Sequence, residues 1–172
     1  MPQDPTRLGN PTPAQGARAE FDAMLHQSLQ AHMQRLLTTQ VRLPAGDQAD
    51  LRHYALVSAG QCTRWSAADM VATHTLEHER LFIQTPEADM AEIGPWLIEL
   101  PRAVGPALLD ALVQQVAEEA LTLIASPLRL AALGAHLRSF MYGTLEPDVD
   151  VLLRYFDPRI GFDARVHDQW QP

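Results

Sequence analysis

Two histidines and a glutamate stand together in His74-Thr75-Leu76-Glu77-His78, a spacing that could hold a metal ion. It fits His-x-x-Glu-His, the inverzincin pattern of zinc hydrolases. On a helix, residues four apart share a face, so His74 and His78 could bind one zinc while Glu77 polarises a bound water. A catalytic zinc also needs a third protein ligand. Glu92, Glu99, Glu118 and Glu119 are all available, and none is singled out. The plain alternative is a solvated helix face, with Glu77 and Glu79 near Arg80.

Other chemical groups are more isolated. Cys62 is the single cysteine, so no internal disulfide can form, as suits a reducing compartment. As a nucleophile it would need a histidine or a cation to lower its pKa, and nothing near it in sequence supplies one. Ser126 precedes a proline and lacks the Gly-x-Ser-x-Gly elbow, so it reads as a helix cap. The chain has no Walker loop and no Gly-x-Gly-x-x-Gly, hence no nucleotide signature. His136 and Arg138 could face a partner, but His136 lies beside the Leu133/Leu137 stripe and reads rather as a hydrogen-bonded histidine at a core boundary.

A third group is Arg154-Tyr155-Phe156-Asp157-Pro158-Arg159. Asp followed by Pro is a sound helix start, because the carboxylate caps free N–H groups and proline suits the first helical position. The apolar run before it reads as a strand. Alternation along that strand would put Arg154 and Phe156 on one face and Tyr155 on the other. Arg154 should then sit at a sheet edge or pair with a carboxylate, because a lone buried charge is very costly. Two roles stay open for Arg154, Tyr155, Asp157, Pro158 and Arg159: a corner that joins the last strand to the last helix, or a contact for a partner.

The elements that must position these groups follow from periodicity and punctuation. Residues 1–16 hold four prolines and should be disordered. Residues 17–50 should form an amphipathic helix, from about Ala17 to Thr38, and a linker broken at Pro44-Ala45-Gly46-Asp47. The helix stripe is Phe21, Leu25, Leu29, Met33 and Leu36. It either packs on its own domain or docks a partner helix or a second copy, with Phe21, Leu25 and Leu29 as contacts.

Residues 51–172 should form one α/β domain. Strands are expected at Tyr54–Ala59, Leu81–Ile83, Trp96–Leu100, Leu121–Ala125 and Val149–Phe156. Helices are expected from Ser66 to about Glu79, from Pro106, from Ser126-Pro127 and from Pro158. Asp69 completes a cap with Ser66 much as a capping box does. Such alternation predicts an α/β fold, a mixed sheet flanked by helices, with the amphipathic helix at the N-terminus.

The bulk numbers narrow the function classes. With 172 residues and 47% hydrophobic content, the chain can bury a core. A net charge of −8 argues against nucleic-acid binding. All 13 basic residues are arginine, the residue that pairs best with carboxylates at interfaces. No apolar run reaches the roughly 18 residues of a membrane span, and the polar start has no signal-peptide core. The expected location is the cytoplasm, with no membrane insertion.

Taken in order, four segments carry a family resemblance. His53-Tyr54-Ala55-Leu56-Val57-Ser58-Ala59-Gly60-Gln61 is similar to the opening strand of the type VI secretion effector-adaptor family (domain of unknown function 4123, Tap-like), with Ser58 where an Asp is usual. Gly94-Pro95-Trp96-Leu97-Ile98-Glu99-Leu100 resembles its Ala-Pro-Tyr-Leu-Val-Glu-Leu strand. Ser126 to Arg138 resembles its Ser-x-x-x-Leu-x-x-His-Leu-Arg helix, and Arg154 to Arg159 its Arg-Phe-Tyr-Asp-Pro-Arg signature. The likeness runs from about Tyr54 to Ile160.

It implies a non-enzymatic adaptor, or chaperone, without a cofactor. Such a protein binds a toxic effector and helps load it onto the VgrG or PAAR spike. Members of the family commonly continue past the Asp-Pro-Arg corner into a second lobe, whereas 13 residues follow Arg159 here. The resemblance therefore implies a naturally short member or a truncated one. Two alternatives stand beside it: a zinc-dependent hydrolase on His74, Glu77 and His78, and an immunity protein that neutralises a toxin.

Overall fold

A central antiparallel strand, β1 (Arg52–Ser58), organises the molecule. In this computed structural model, residues 13–38, 51–146 and 149–161 are described. β1 is flanked by β3 (Pro95–Leu100) and β4 (Leu121–Ser126), and β2 (His78–Arg80) lies outside β3. All pairings in this four-stranded sheet are antiparallel, where a mixed sheet was expected; the α/β class itself holds. Val57 faces both Trp96 and Leu121, and Tyr54 faces both Glu99 and Ile124.

Alternation along β1 divides the core in two. Ala55 and Val57 join Trp96, Ile98, Leu100 and Leu121 on one face. There they meet α2 (Ala67–His74) and α3 (Pro106–Ala117) through Met70, Leu108, Leu112 and Val113. Tyr54, Leu56 and Leu97 point to the other face. That face is covered by α4 (Leu130–Ser139), by Leu81 and Phe82, and by Met141 and Phe156. A sheet covered on both sides reads as near-continuous apolar runs, and Tyr54 to Val57 is such a run. The α/β class and the N-terminal helix expected from sequence are both present.

Several boundaries differ from the sequence reading. α1 (Pro13–Thr38) begins earlier than expected, with Pro13 suited to a first turn. The rest of the proline-rich start and the 39–50 linker lie outside the described residues. α2 does not reach Glu79: it stops at His74, and Thr75 takes a left-handed conformation (φ 52°) that turns the chain away. Leu81–Ile83 is not a strand. The strand is His78–Arg80, and Leu81 and Phe82 lie in the following turn, buried under the sheet. The cap at α2 is present: the Asp69 N–H donates to Ser66 Oγ at 3.0 Å.

Ser126-Pro127 does not open a helix. Ser126 Oγ accepts from the Leu128 N–H at 3.2 Å in a short turn, and α4 begins only at Leu130. A hairpin of β5 (Tyr142–Glu146) and β6 (Val149–Leu152) follows. The last strand therefore ends at Leu152 rather than at Phe156. Short α5 (Pro158–Gly161) starts at Pro158 as expected.

Candidate functional site

The chain turns sharply between Leu152 and Pro158, and Asp157 holds the turn. It is 2% exposed and accepts from the Arg159 backbone N–H at 3.1 Å, as a helix N-cap does. Arg159 also grips the carboxylate with two side-chain bonds, Nε at 2.9 Å and Nη2 at 2.7 Å. Arg154 Nη2 adds a fourth contact at 3.2 Å. The Arg159 hydrogen bonds hold the Asp157 carboxyl well below the usual carboxylate range, against the opposing effect of burial. The same pairing raises the pKa of Arg159.

The corner has an inward and an outward half. Phe156 is buried and meets Phe82 edge-on, with centroids 5.8 Å apart. Tyr155 donates its hydroxyl to the Leu137 carbonyl at 2.8 Å, and burial pushes its phenol pKa up. Asp157 and Pro158 are buried with them. Arg154, Arg159 and Ile160 stay exposed. Because residues 153–157 are not a strand, the expected sharing of a face by Arg154 and Phe156 does not occur: Arg154 points to solvent and Phe156 into the core. Arg154 does pair with a carboxylate, one of its two expected fates.

Neighbours from two other elements converge on this end of the sheet. Just beyond β1, the buried amide of Gln61 lies near enough to Asp157 to favour its charged form, although neither amide atom reaches hydrogen-bond geometry. Glu119, in the turn before β4, acts electrostatically on Arg159. Its neighbour Glu118 ties down the loop after β1. That carboxylate accepts from the Thr63 N–H (2.8 Å), the Thr63 hydroxyl (2.7 Å) and the Arg64 N–H (3.1 Å). Buried Gln115 completes the tie, donating to the Trp65 carbonyl at 2.6 Å and accepting from Cys62 Sγ at 2.8 Å. Sequence reasoning missed the role of Gln61 and Gln115, and considered Glu118 and Glu119 only as zinc ligands, because these residues meet only through the fold. Gln61 alone carried a signal, as the end of the first resemblance segment.

The α1 stripe splits in two. Met33 and Leu37 are buried in the core that contains α3, and His26 Nε2 lies 3.0 Å from Asp110 Oδ1, with Gln30 bonded to the same oxygen. Leu29 is half-buried against that core. Phe21 and Leu25 are 58% and 49% exposed, and Met24 is exposed beside them; Leu36, at the other end of the helix, is exposed as well. The reading that the whole stripe packs on its own domain therefore holds only for Met33 and, in part, Leu29. Helical periodicity gives the spacing of apolar residues, not which flank of a broad stripe meets the neighbour.

His74 and His78 do not share a helical face, contrary to the sequence expectation. The helix breaks between them, leaving His74 at the end of α2 and His78 at the start of β2. His78 stacks on Trp96 at 5.1 Å with an interplanar angle of 12°. Glu77 lines a cleft of about 350 Å³ with Arg52, His53, Glu99 and Arg102, at the opposite end of the sheet from Asp157. Among the described residues, no group of three or more His, Cys, Asp or Glu side chains is placed to hold a metal ion. Burial pushes the Cys62 thiol up to about 11. His136 is exposed and meets Phe140 edge-on at 4.8 Å, rather than sitting at a core boundary. Arg138 pairs with Glu79 at 3.0 Å. No described helix is long and apolar enough to cross a membrane.

Residues 53–167 match the sequence profile of the family described as "Domain of unknown function (DUF4123)". The match takes in β1 from His53 onward and the whole Asp157 corner, and leaves α1 outside. No curated protein and no solved structure matches the chain. The chain belongs to the DUF4123 family, which is linked to type VI secretion.

Proposed function

From that membership we propose that this protein is an adaptor, or effector chaperone, of a type VI secretion system. It binds a toxic effector in the bacterial cytoplasm and helps load it onto the VgrG or PAAR spike. The observation that carries this reading is the family match over residues 53–167.

Two features of the chain support it. Phe21, Met24 and Leu25 form an exposed apolar ridge on a helix whose far end is anchored by Met33 and Leu37. A ridge of this kind suits the apolar face of a partner helix, whose burial would drive association. The outward guanidinium groups of Arg154 and Arg159 keep donors free for carboxylates at the rim of a contact, while Asp157 fixes their position. In this account Tyr155, Phe156, Asp157 and Pro158 build the corner, and Arg154 and Arg159 present it.

Binding only the folded effector would stabilise it by mass action, by about 2.7 kcal/mol when the free adaptor is a hundredfold above Kd. An export assay tests the reading. Cells lacking this chain should fail to export one effector while the machine still fires. Wild-type protein should restore export, and a Phe21→Ser/Leu25→Ser variant should not. Unchanged export of every effector in the deletion strain would overturn it.

A further inference from the structure

We propose that the outer edge of β4 joins two copies of this chain into a two-fold dimer, with one sheet running through both. The inference is independent of the adaptor reading.

The two edges of the sheet differ in kind. β2 is three residues long and carries His78, Glu79 and Arg80, a short charged edge that resists pairing with another strand. β4 runs for six residues, Leu-Thr-Leu-Ile-Ala-Ser, with no charge, no proline and no bulge in its register with β1. Soluble proteins normally protect such an edge with charges, prolines, bulges or a covering element.

The phase of its hydrogen bonds is fixed by the structure. The Ser58 N–H donates to the Ala120 carbonyl at 2.8 Å. In an antiparallel pair, bonded positions alternate. Thr122, Ile124 and Ser126 therefore turn their backbone groups toward β1, and Leu121, Leu123 and Ala125 turn theirs outward. Among the described residues these three make no backbone hydrogen bond along that outer edge. The groups they present are the ones an antiparallel strand requires.

Charge at the two ends selects a second copy as the occupant. Glu118 and Glu119 precede the strand, and exposed Arg129 follows it. Arg52, opposite Ser126 on the neighbouring strand, is already paired with Glu99 at 2.6 Å, so Arg129 carries the basic end. A two-fold axis at Leu123 sets Leu123 against its own copy and Leu121 against Ala125 of the other. It also carries the acidic end of each β4 toward the basic end of its mate. The contact is isologous, so each favourable charge approach occurs twice.

Light scattering on the full chain across a range of concentrations tests this. The expected mass is twice 19.1 kDa, falling toward 19.1 kDa on dilution. Ala125→Pro removes one outward N–H, while the Ala125 side chain is exposed and the β1 pairing is untouched. It should give a monomer with an unchanged circular dichroism spectrum. Glu119→Arg and Arg129→Glu should each weaken the dimer roughly ten-fold, and the double variant should recover it. That recovery cannot come from misfolding. A monomer at every concentration overturns the proposal. So does a dimer indifferent to all these changes, or a monomer whose Leu121, Leu123 and Ala125 amides exchange slowly because the chain covers its own edge.

Discussion

Replacing Asp157 separates the two jobs its carboxylate performs. As an N-cap it accepts the Arg159 N–H, and as an anion it holds two guanidinium groups. Losing a cap costs about 0.5–2 kcal/mol. Bonds to charged groups contribute about 1.5–3 kcal/mol when buried, but Arg154 and Arg159 are about half exposed. Screening by solvent brings each ion pair down to about 0.2–1 kcal/mol. Asp157→Ala removes both functions and should cost about 1–4 kcal/mol. Asp157→Asn keeps a good cap and loses the charge, and should cost about 0.5–2 kcal/mol, less than Ala.

The sign of the pH dependence follows from the lowered carboxyl pKa. Stability from such a group is complete above its unfolded pKa, about 3.9 for Asp, and is lost as the pH falls toward the folded value. The deficit of Asp157→Asn should therefore be smaller at pH 3 than at pH 7. Urea unfolding of the wild type and both variants at these two pH values measures all of this. The reasoning is refuted if Asn costs as much as Ala at neutral pH, or if the Asn deficit does not shrink in acid.

Four further outcomes follow from the structure. Gly94→Ala should lower stability by about 1–3 kcal/mol in thermal unfolding, because its Cβ would sit 2.8 Å from Cγ of the buried Phe82 ring. Gln115→Ala should cost about 1–3 kcal/mol in urea, leaving the half-buried Trp65 carbonyl without its donor. At neutral pH, Cys62 should react with a disulfide reagent roughly a hundredfold more slowly than a free cysteine, since its pKa of about 11 leaves little thiolate. Met33→Ala should cost about 2–5 kcal/mol, whereas Phe21→Ser and Leu25→Ser should each stay within about 0.5 kcal/mol, read by chemical denaturation.

The fold was legible in sequence where a strand or helix carries its own packing signal. Tyr54 to Val57 is buried on both faces and shows as an unbroken apolar run. Pro95–Leu100 ends at a proline, and α3 begins at Pro106. The edge strand His78–Arg80 left no such trace, because its charged residues serve the sheet through the backbone and the Trp96 stack. Thr75 ends α2 in a left-handed conformation that glycine or asparagine would have announced and threonine does not. Ser126-Pro127 has the composition of a helix start but makes a turn, and only Leu130 continues as helix.

The candidate site divides along the same line. Asp157-Pro158 was readable as a cap because capping is local. Which residues of the corner face inward was not, since that depends on Phe82, Leu137 and Gln61 arriving from distant segments. The histidine pair failed for a local reason, the helix break at Thr75. On α1, the apolar positions were right, but Asp110 and the α3 surface choose which of them are buried.

The adaptor claim is tested most directly by isolating the tagged chain from cells that express a type VI machine and identifying by mass spectrometry what co-purifies. The account predicts one toxic effector in stoichiometric amount, lost from the Phe21→Ser/Leu25→Ser variant while that variant stays folded. A chain that purifies without any effector while the machine is active, or that keeps its effector when the ridge is removed, would contradict it.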